Sequence, residues 1–245
     1  MVRAFINIHN KRLYADHRYG YVAVYGEGKM NKKGKLAKRL KNDKAFEELF
    51  SQVNDNFPGF EAIWYSRDGN MDMYFMGYRN AVMILIEWFL KPSDDNGTIY
   101  PLIFLIRHTL ELGLKESIRK ALKLGSKSIS LSECEVKNVW KTHDLRSLSE
   151  TCEKVMGSYK ISEYRDWNEA KKFMQKWQEA DPKTTFGKYP VSNEGVPYYV
   201  KGNVHAENVV KMGIKTIETL DGLLSMLEEY LNIQSEMYDQ MKGEI

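Results

Sequence analysis

The sequence predicts a mainly α fold: a helical bundle of about five helices behind a small mixed α/β N-terminal element. Three observations predict it. Two long, largely apolar stretches, residues 72–90 and 98–124, are separated by one polar Pro- and Gly-containing loop. From residue 132 onward, apolar residues recur at three- and four-residue spacing, the period of an α-helix buried along one face. β-branched and aromatic residues bounded by Gly and Asn are concentrated at the start of the chain. The expected division is residues 1–70 and residues 71–245.

The elements follow in chain order. Residues 4–8 and 19–25 read as short strands in the pattern of a hairpin, and residues 31–34 as a turn. Asn42 or Asp43 can cap a helix through Asn54, with Phe46, Leu49, Phe50 and Val53 on its apolar face. Residues 56–59 break it, and residues 60–65 read as a third strand ended by Asp68-Gly69. The 72–90 and 98–124 helices are apolar around most of their circumference, so each should be central to the core. Their short connection makes them an antiparallel pair, and Pro101 is acceptable in a first helical turn.

Ser132 and Glu135 fit a capping box that opens a short helix. Residues 144–157 follow, with Leu145, Leu148, Cys152 and Val155 at helical spacing. Residues 162–180 form another helix anchored by Tyr164, Trp167, Phe173 and Trp177. Residues 181–201 read as a hairpin-like insertion. Asn203 can cap a last helix whose stripe runs from Val209 through Met212, Ile217, Leu220, Leu224 and Leu227 to Leu231.

Composition narrows the function classes. The chain has 245 residues, 43% apolar and 28% charged, with a mean hydropathy of −0.51. No window approaches the ~18 uninterrupted apolar residues of a membrane span, and the first residues lack the order of a secretory signal. Cys134 and Cys152 are too few for a disulfide framework, so a reducing, cytoplasmic location is expected. They are not at zinc spacing, and there is no glycine loop of the phosphate- or dinucleotide-binding kind. No metal and no cofactor are expected. Met71, Met73, Met76 and Met83 read as adaptable core.

Net charge is +3, compatible with nucleic acid without requiring it. Lys29, Lys32, Lys33, Lys35, Lys38, Arg39, Lys41 and Lys44 crowd one region. They read either as a solvated basic face or as a phosphate-facing patch, in which Lys35, Lys38 and Arg39 would bind RNA beside stacking aromatics such as Tyr21 and Tyr25.

The most informative segment is residues 100–115. Arg107, Glu111 and Lys115 are four residues apart and share a helix face inside an otherwise apolar run, with His108 beside them. Ionisable groups in such a setting must be paired, solvated at a cleft, or functional. This segment, followed by Thr142-His143-Asp144-Leu145, resembles the HEPN superfamily, in particular bacterial and phage-associated HEPN-like proteins with a "YPxxFLxRHxxELxLK" helix and a later "HDL" helix start. Residues 181–190, containing Thr185-Phe186-Gly187-Lys188-Tyr189-Pro190, are similar to their "tFRYP" loop with an altered centre. The resemblance covers residues 72 to the end.

The resemblance implies a helical bundle that pairs as a homodimer and acts in prokaryotic antiviral defence or toxin–antitoxin systems, as a metal-independent endoribonuclease or as an RNA-binding relative. It also implies, as an alternative, a non-catalytic module that binds a protein partner of a defence system. Catalytic members carry an Arg followed closely by His near the start of a late helix. Here only Arg3–His9 and Arg12–His17 match that spacing, both in the N-terminal element.

Metal-free RNA cleavage needs a base for the 2′-hydroxyl, a cation for the developing phosphorane charge and an acid for the leaving oxygen. Arg107, His108 and His143 form the candidate set, with Glu111 orienting Arg107 and Lys115 adding a phosphate contact. Each also has a structural reading. The Arg107–Glu111–Lys115 ladder can fix the bundle, His143-Asp144 can cap a helix, and His108 can be a satisfied core histidine. His205 with Lys201 marks a second conceivable anion site at the start of the last helix.

Overall fold

The computed structural model describes residues 71–89, 96–125, 131–191, 194–197 and 206–243, together with four two-residue strands among the first 23 residues. The chain divides into two units, Met1–Asn70 and Met71–Ile245. In the first, β1 (Asn7–Ile8) pairs antiparallel with β2 (Lys11–Arg12), and β3 (Tyr14–Ala15) with β4 (Val22–Ala23). The helix expected at 42–54, the strand expected at 60–65, and Lys35, Lys38 and Arg39 lie outside the described residues.

The second unit is a helical bundle. Its described helices are α1 (Met71–Phe89), α2 (Ile99–Lys123), α3 (Glu133–Lys141), α4 (Leu145–Val155), α5 (Arg165–Ala180) and α6 (Ala206–Gly243). Local sequence sets several ends. Ser132 and Glu135 form the expected reciprocal capping box at α3. Asp144, not His143, caps α4, its carboxylate accepting from Ser147 N–H at 2.8 Å. Gly125, with φ +64°, takes the left-handed conformation just past α2. Of the insertion, the described residues 181–191 and 194–197 form turns and bends, with an antiparallel bridge between Val191 and Pro197.

α2 is the axis of the bundle. It packs against α1, α4 and α6, while α5 joins α4 to α6. Leu102, Ile106, Leu110, Leu114 and Ile118 are fully enclosed along it. Two glycines permit the close crossings. A Cβ on Gly113 would stand 2.9 Å from the Phe75 ring of α1, and one on Gly213 of α6 would stand 2.7 Å from Ile106.

α1 departs from the expectation of a second central helix. It buries only Phe75, Val82 and Ile86. Met73, Met76 and Met83, read from sequence as core, are exposed, as are Tyr74, Ile84 and Trp88. An apolar circumference records how little a helix resists burial; the number of neighbours decides how much of it is buried. No described helix is long and apolar enough to cross a membrane.

Candidate functional site

The site grows from the polar stripe of α2. Arg107, Glu111 and Lys115 lie one helical turn apart and are only 4–6% exposed. The apolar residues around them bury the stripe, so each charge must find its partner inside the fold.

Glu111 Oε1 is the meeting point of two N–H-bearing side chains. It accepts from Lys115 Nζ at 2.8 Å and lies 2.8 Å from His143 Nδ1. Lys115 also reaches the Trp140 carbonyl at the end of α3, at 3.5 Å. Burial pushes the Glu111 carboxyl up, but Lys115 and His143 more than offset this, and its pKa falls below the ordinary carboxylate value. Glu111 is therefore an anion at neutral pH. The His143 side chain is 65% exposed. A carboxylate can only accept, so Nδ1 carries the shared proton, and whenever the ring is neutral its lone pair is at Nε2. The result is an exposed imidazole held in one tautomer by a buried carboxylate.

Arg107 lies beneath the same junction. Its Nη2 donates to the His143 carbonyl at 3.2 Å and to Gln178 Oε1 at 2.8 Å. Gln178 Oε1 also accepts from Leu145 N–H at 3.0 Å, and Gln178 Nε2 donates to the Pro182 carbonyl at 3.2 Å. Arg107 Nε is 3.9 Å from Asp181 Oδ2. Burial lowers the Arg107 pKa, and Asp181, Glu111 and Asp144 oppose that shift; it stays a cation. Two buried atoms here, Arg107 Nη1 and Asp181 Oδ2, have no hydrogen-bond partner.

His108 occupies the adjoining face of α2. The Tyr78 ring meets it edge-on at 4.5 Å, and Phe104 stacks on it at 5.8 Å. Burial pushes its pKa down, and the charges of Lys188, Lys115 and His143 push the same way against Glu111. It is a neutral, half-buried imidazole at pH 7.

The structure thus brings together Arg107, His108, Glu111, Lys115 and His143, which the sequence offered as two separate motifs. It reassigns their roles. Glu111 orients His143 rather than Arg107, because the carboxylate bonds across to the α3–α4 junction while Arg107 turns to Gln178 and Asp181. Arg107, Glu111 and Lys115 are sealed, so none presents an open face to a ligand. Gln178 and Asp181 were missed. Their signal was present: Gln178 is a polar residue on the buried stripe of α5 beside Met174 and Trp177, and such a residue needs an internal partner.

Lys201 and His205 lie outside the described residues. Among the described residues, no group of three His, Cys, Asp or Glu is placed to hold a metal ion. No protein family, curated protein or solved structure matches this chain.

Proposed function

We propose that this chain is a HEPN-like protein that binds or acts on RNA, working as a homodimer in a prokaryotic antiviral-defence or toxin–antitoxin setting. One observation carries the reading. The three segments that resemble that superfamily, residues 100–115, 142–148 and 181–190, meet around a junction that exposes the His143 imidazole, held by Glu111 at 2.8 Å. A buried carboxylate that fixes an exposed imidazole is the arrangement of an oriented general base.

In this reading His143 Nε2 takes the proton of a ribose 2′-hydroxyl. The 2′-oxygen attacks the adjacent phosphorus to give a 2′,3′-cyclic phosphate, and the bond to the 5′-oxygen breaks, that oxygen leaving as a hydroxyl with a proton taken from water. Glu111 and Lys115 are positioning residues, and Arg107 secures the His143 carbonyl from below.

The experiment is incubation of the purified chain with labelled single-stranded RNA in the presence of a chelator, followed by retention and cleavage. The reading expects retention or cleavage, and its loss in His143→Ala with the melting temperature unchanged. RNA neither retained nor cleaved at micromolar protein and low salt contradicts it.

A second reading has its own support. The exposed apolar side chains of α1, with Trp88 57% and Ile84 66% exposed, suit a non-catalytic module that binds a protein partner. A stoichiometric protein complex lost on Trp88→Glu, with no response to RNA, would favour it.

A further inference from the structure

With Arg107 and Lys115 sealed, the α2 stripe offers no exposed cation beside His143, yet a phosphodiester reaching that imidazole brings negative charge that needs one. The turn after α5 supplies it. Gly187 has φ +86°, and a Cβ there would stand 2.9 Å from the Tyr100 carbonyl and 3.3 Å from the Phe104 nitrogen. Only glycine lets this turn lie so closely on the first turns of α2. The turn is tied from inside: Asp181 Oδ1 accepts from Thr185 N–H at 3.0 Å and Phe186 N–H at 3.3 Å, and the Thr185 carbonyl accepts from Lys188 N–H at 3.1 Å. Asp181 is the carboxylate beside Arg107. The buried network that holds the His143 carbonyl therefore also holds the next turn.

Lys188 stands at its tip. Its side chain is exposed, and Nζ lies 5.0 Å above the centre of the Phe104 ring, which stacks on His108 at 5.8 Å. A long lysine side chain ordinarily loses much rotamer freedom on binding. An aromatic seat removes part of that cost while leaving the outer face of the ammonium to a ligand.

We propose that Lys188 is the phosphate-contacting cation of this site, taking a backbone phosphate of the single-stranded RNA on the Phe104–His108 face of α2, with Arg107 and Asp181 as positioning residues for the turn that carries it. The inference rests on the RNA reading above and assigns to Lys188 the contact expected of Arg107 and Lys115.

The test is titration of a fluorescein-labelled single-stranded RNA of mixed sequence across a salt series. Wild type, Lys188→Gln, Lys188→Arg and Lys137→Gln are compared. Lys137 is an exposed lysine of α3 that pairs, among the described residues, with Glu133, so it controls for net charge. The expected result is a roughly fivefold to tenfold weaker Kd for Lys188→Gln, with the slope of log K against log salt reduced by about 0.7. Lys188→Arg should keep most of the affinity, and Lys137→Gln should match wild type. Unchanged affinity and slope in Lys188→Gln, with wild type binding, overturns the assignment alone. Equal losses in Lys137→Gln and Lys188→Gln overturn it in favour of diffuse charge. Absence of binding by wild type overturns the RNA reading and this one together.

Discussion

The two halves of α2 both bury charges, and they do so differently. Toward its C-terminal end, Glu116 takes a two-pronged bond from Arg119, and Lys120 bridges Asp72 of α1 at 2.9 Å and Glu228 of α6 at 2.6 Å. No buried side-chain nitrogen or oxygen of that cluster lacks a partner. Its partners are neighbouring helices, and it ends at the half-exposed Glu228 carboxylate with every buried polar atom matched. The Arg107–Glu111–Lys115 half reaches instead to the starts and ends of α3, α4 and α5 and to the following turn. It ends on an exposed imidazole and leaves two buried atoms unmatched. A closed network is what a structural joint requires; unmatched buried atoms and an oriented, exposed base mark a site. Neither buried charge nor an exposed end separates the two cases, whereas the unmatched buried atoms and the oriented imidazole do.

The largest effect that would sharpen this contrast is Arg107→Ala. It leaves the Asp181 carboxylate and the Gln178 and His143 acceptors buried without their cation. The expected cost is about 3–5 kcal/mol, read as a lower denaturant midpoint at constant m-value. A cost below about 1 kcal/mol would mean that water already reaches Arg107, and the site would be more open than described.

Beside the Arg107 cluster, Gly213→Ala tests the packing of α6 on α2. Its Cβ would meet Ile106 Cγ2 at 2.7 Å, so overpacking should cost about 1–3 kcal/mol in the same measurement. A neutral result would show that α6 can slide on α2.

The subtlest contrast is in pH dependence, because two carboxylates on one helix shift oppositely. Burial holds the Glu116 pKa above its ordinary value despite Arg119. Burial also opposes Glu111, but Lys115 and His143 bring its pKa below the ordinary value. A lowered carboxylate contributes stability present above the unfolded-state pKa and lost as pH falls through the folded one. A raised carboxylate contributes stability present below the unfolded-state pKa and lost as pH rises toward the folded one. The advantage of wild type over Glu111→Gln should therefore shrink on acidification below the carboxylate range. Glu116→Gln should gain on wild type as pH rises through and above that range. Urea melts between acidic and neutral pH read both, and slopes of the same sign would contradict the assigned environments.

The sequence made the bundle legible because helix periodicity and caps are local. The capping box of Ser132 and Glu135 and the long α2 follow from spacing alone. The shallow burial of α1 was not legible, because Met73, Met83 and Trp88 look like core until the count of neighbouring helices is known. At the site, residue types and the α2 face were readable, and the partners were not. Glu111 joins His143 across 32 positions, and Arg107 joins Gln178 across 71. Pairing at such separations is decided by the packing of α2 on α4 and of α4 on α5, which no local pattern encodes. Lys188 was hidden for a related reason: its place depends on the close seat of Gly187 against α2.

The most direct measurement is the thermal shift produced by single-stranded RNA on wild type, His143→Gln and Lys120→Met. Ligand that binds the folded state raises Tm in proportion to its affinity. The account predicts that RNA raises Tm in wild type and in Lys120→Met, the latter from a lower starting value, and that the shift is lost in His143→Gln, whose starting Tm matches wild type. A full shift in His143→Gln would contradict it, and a shift lost only in Lys120→Met would place the ligand at the other end of α2.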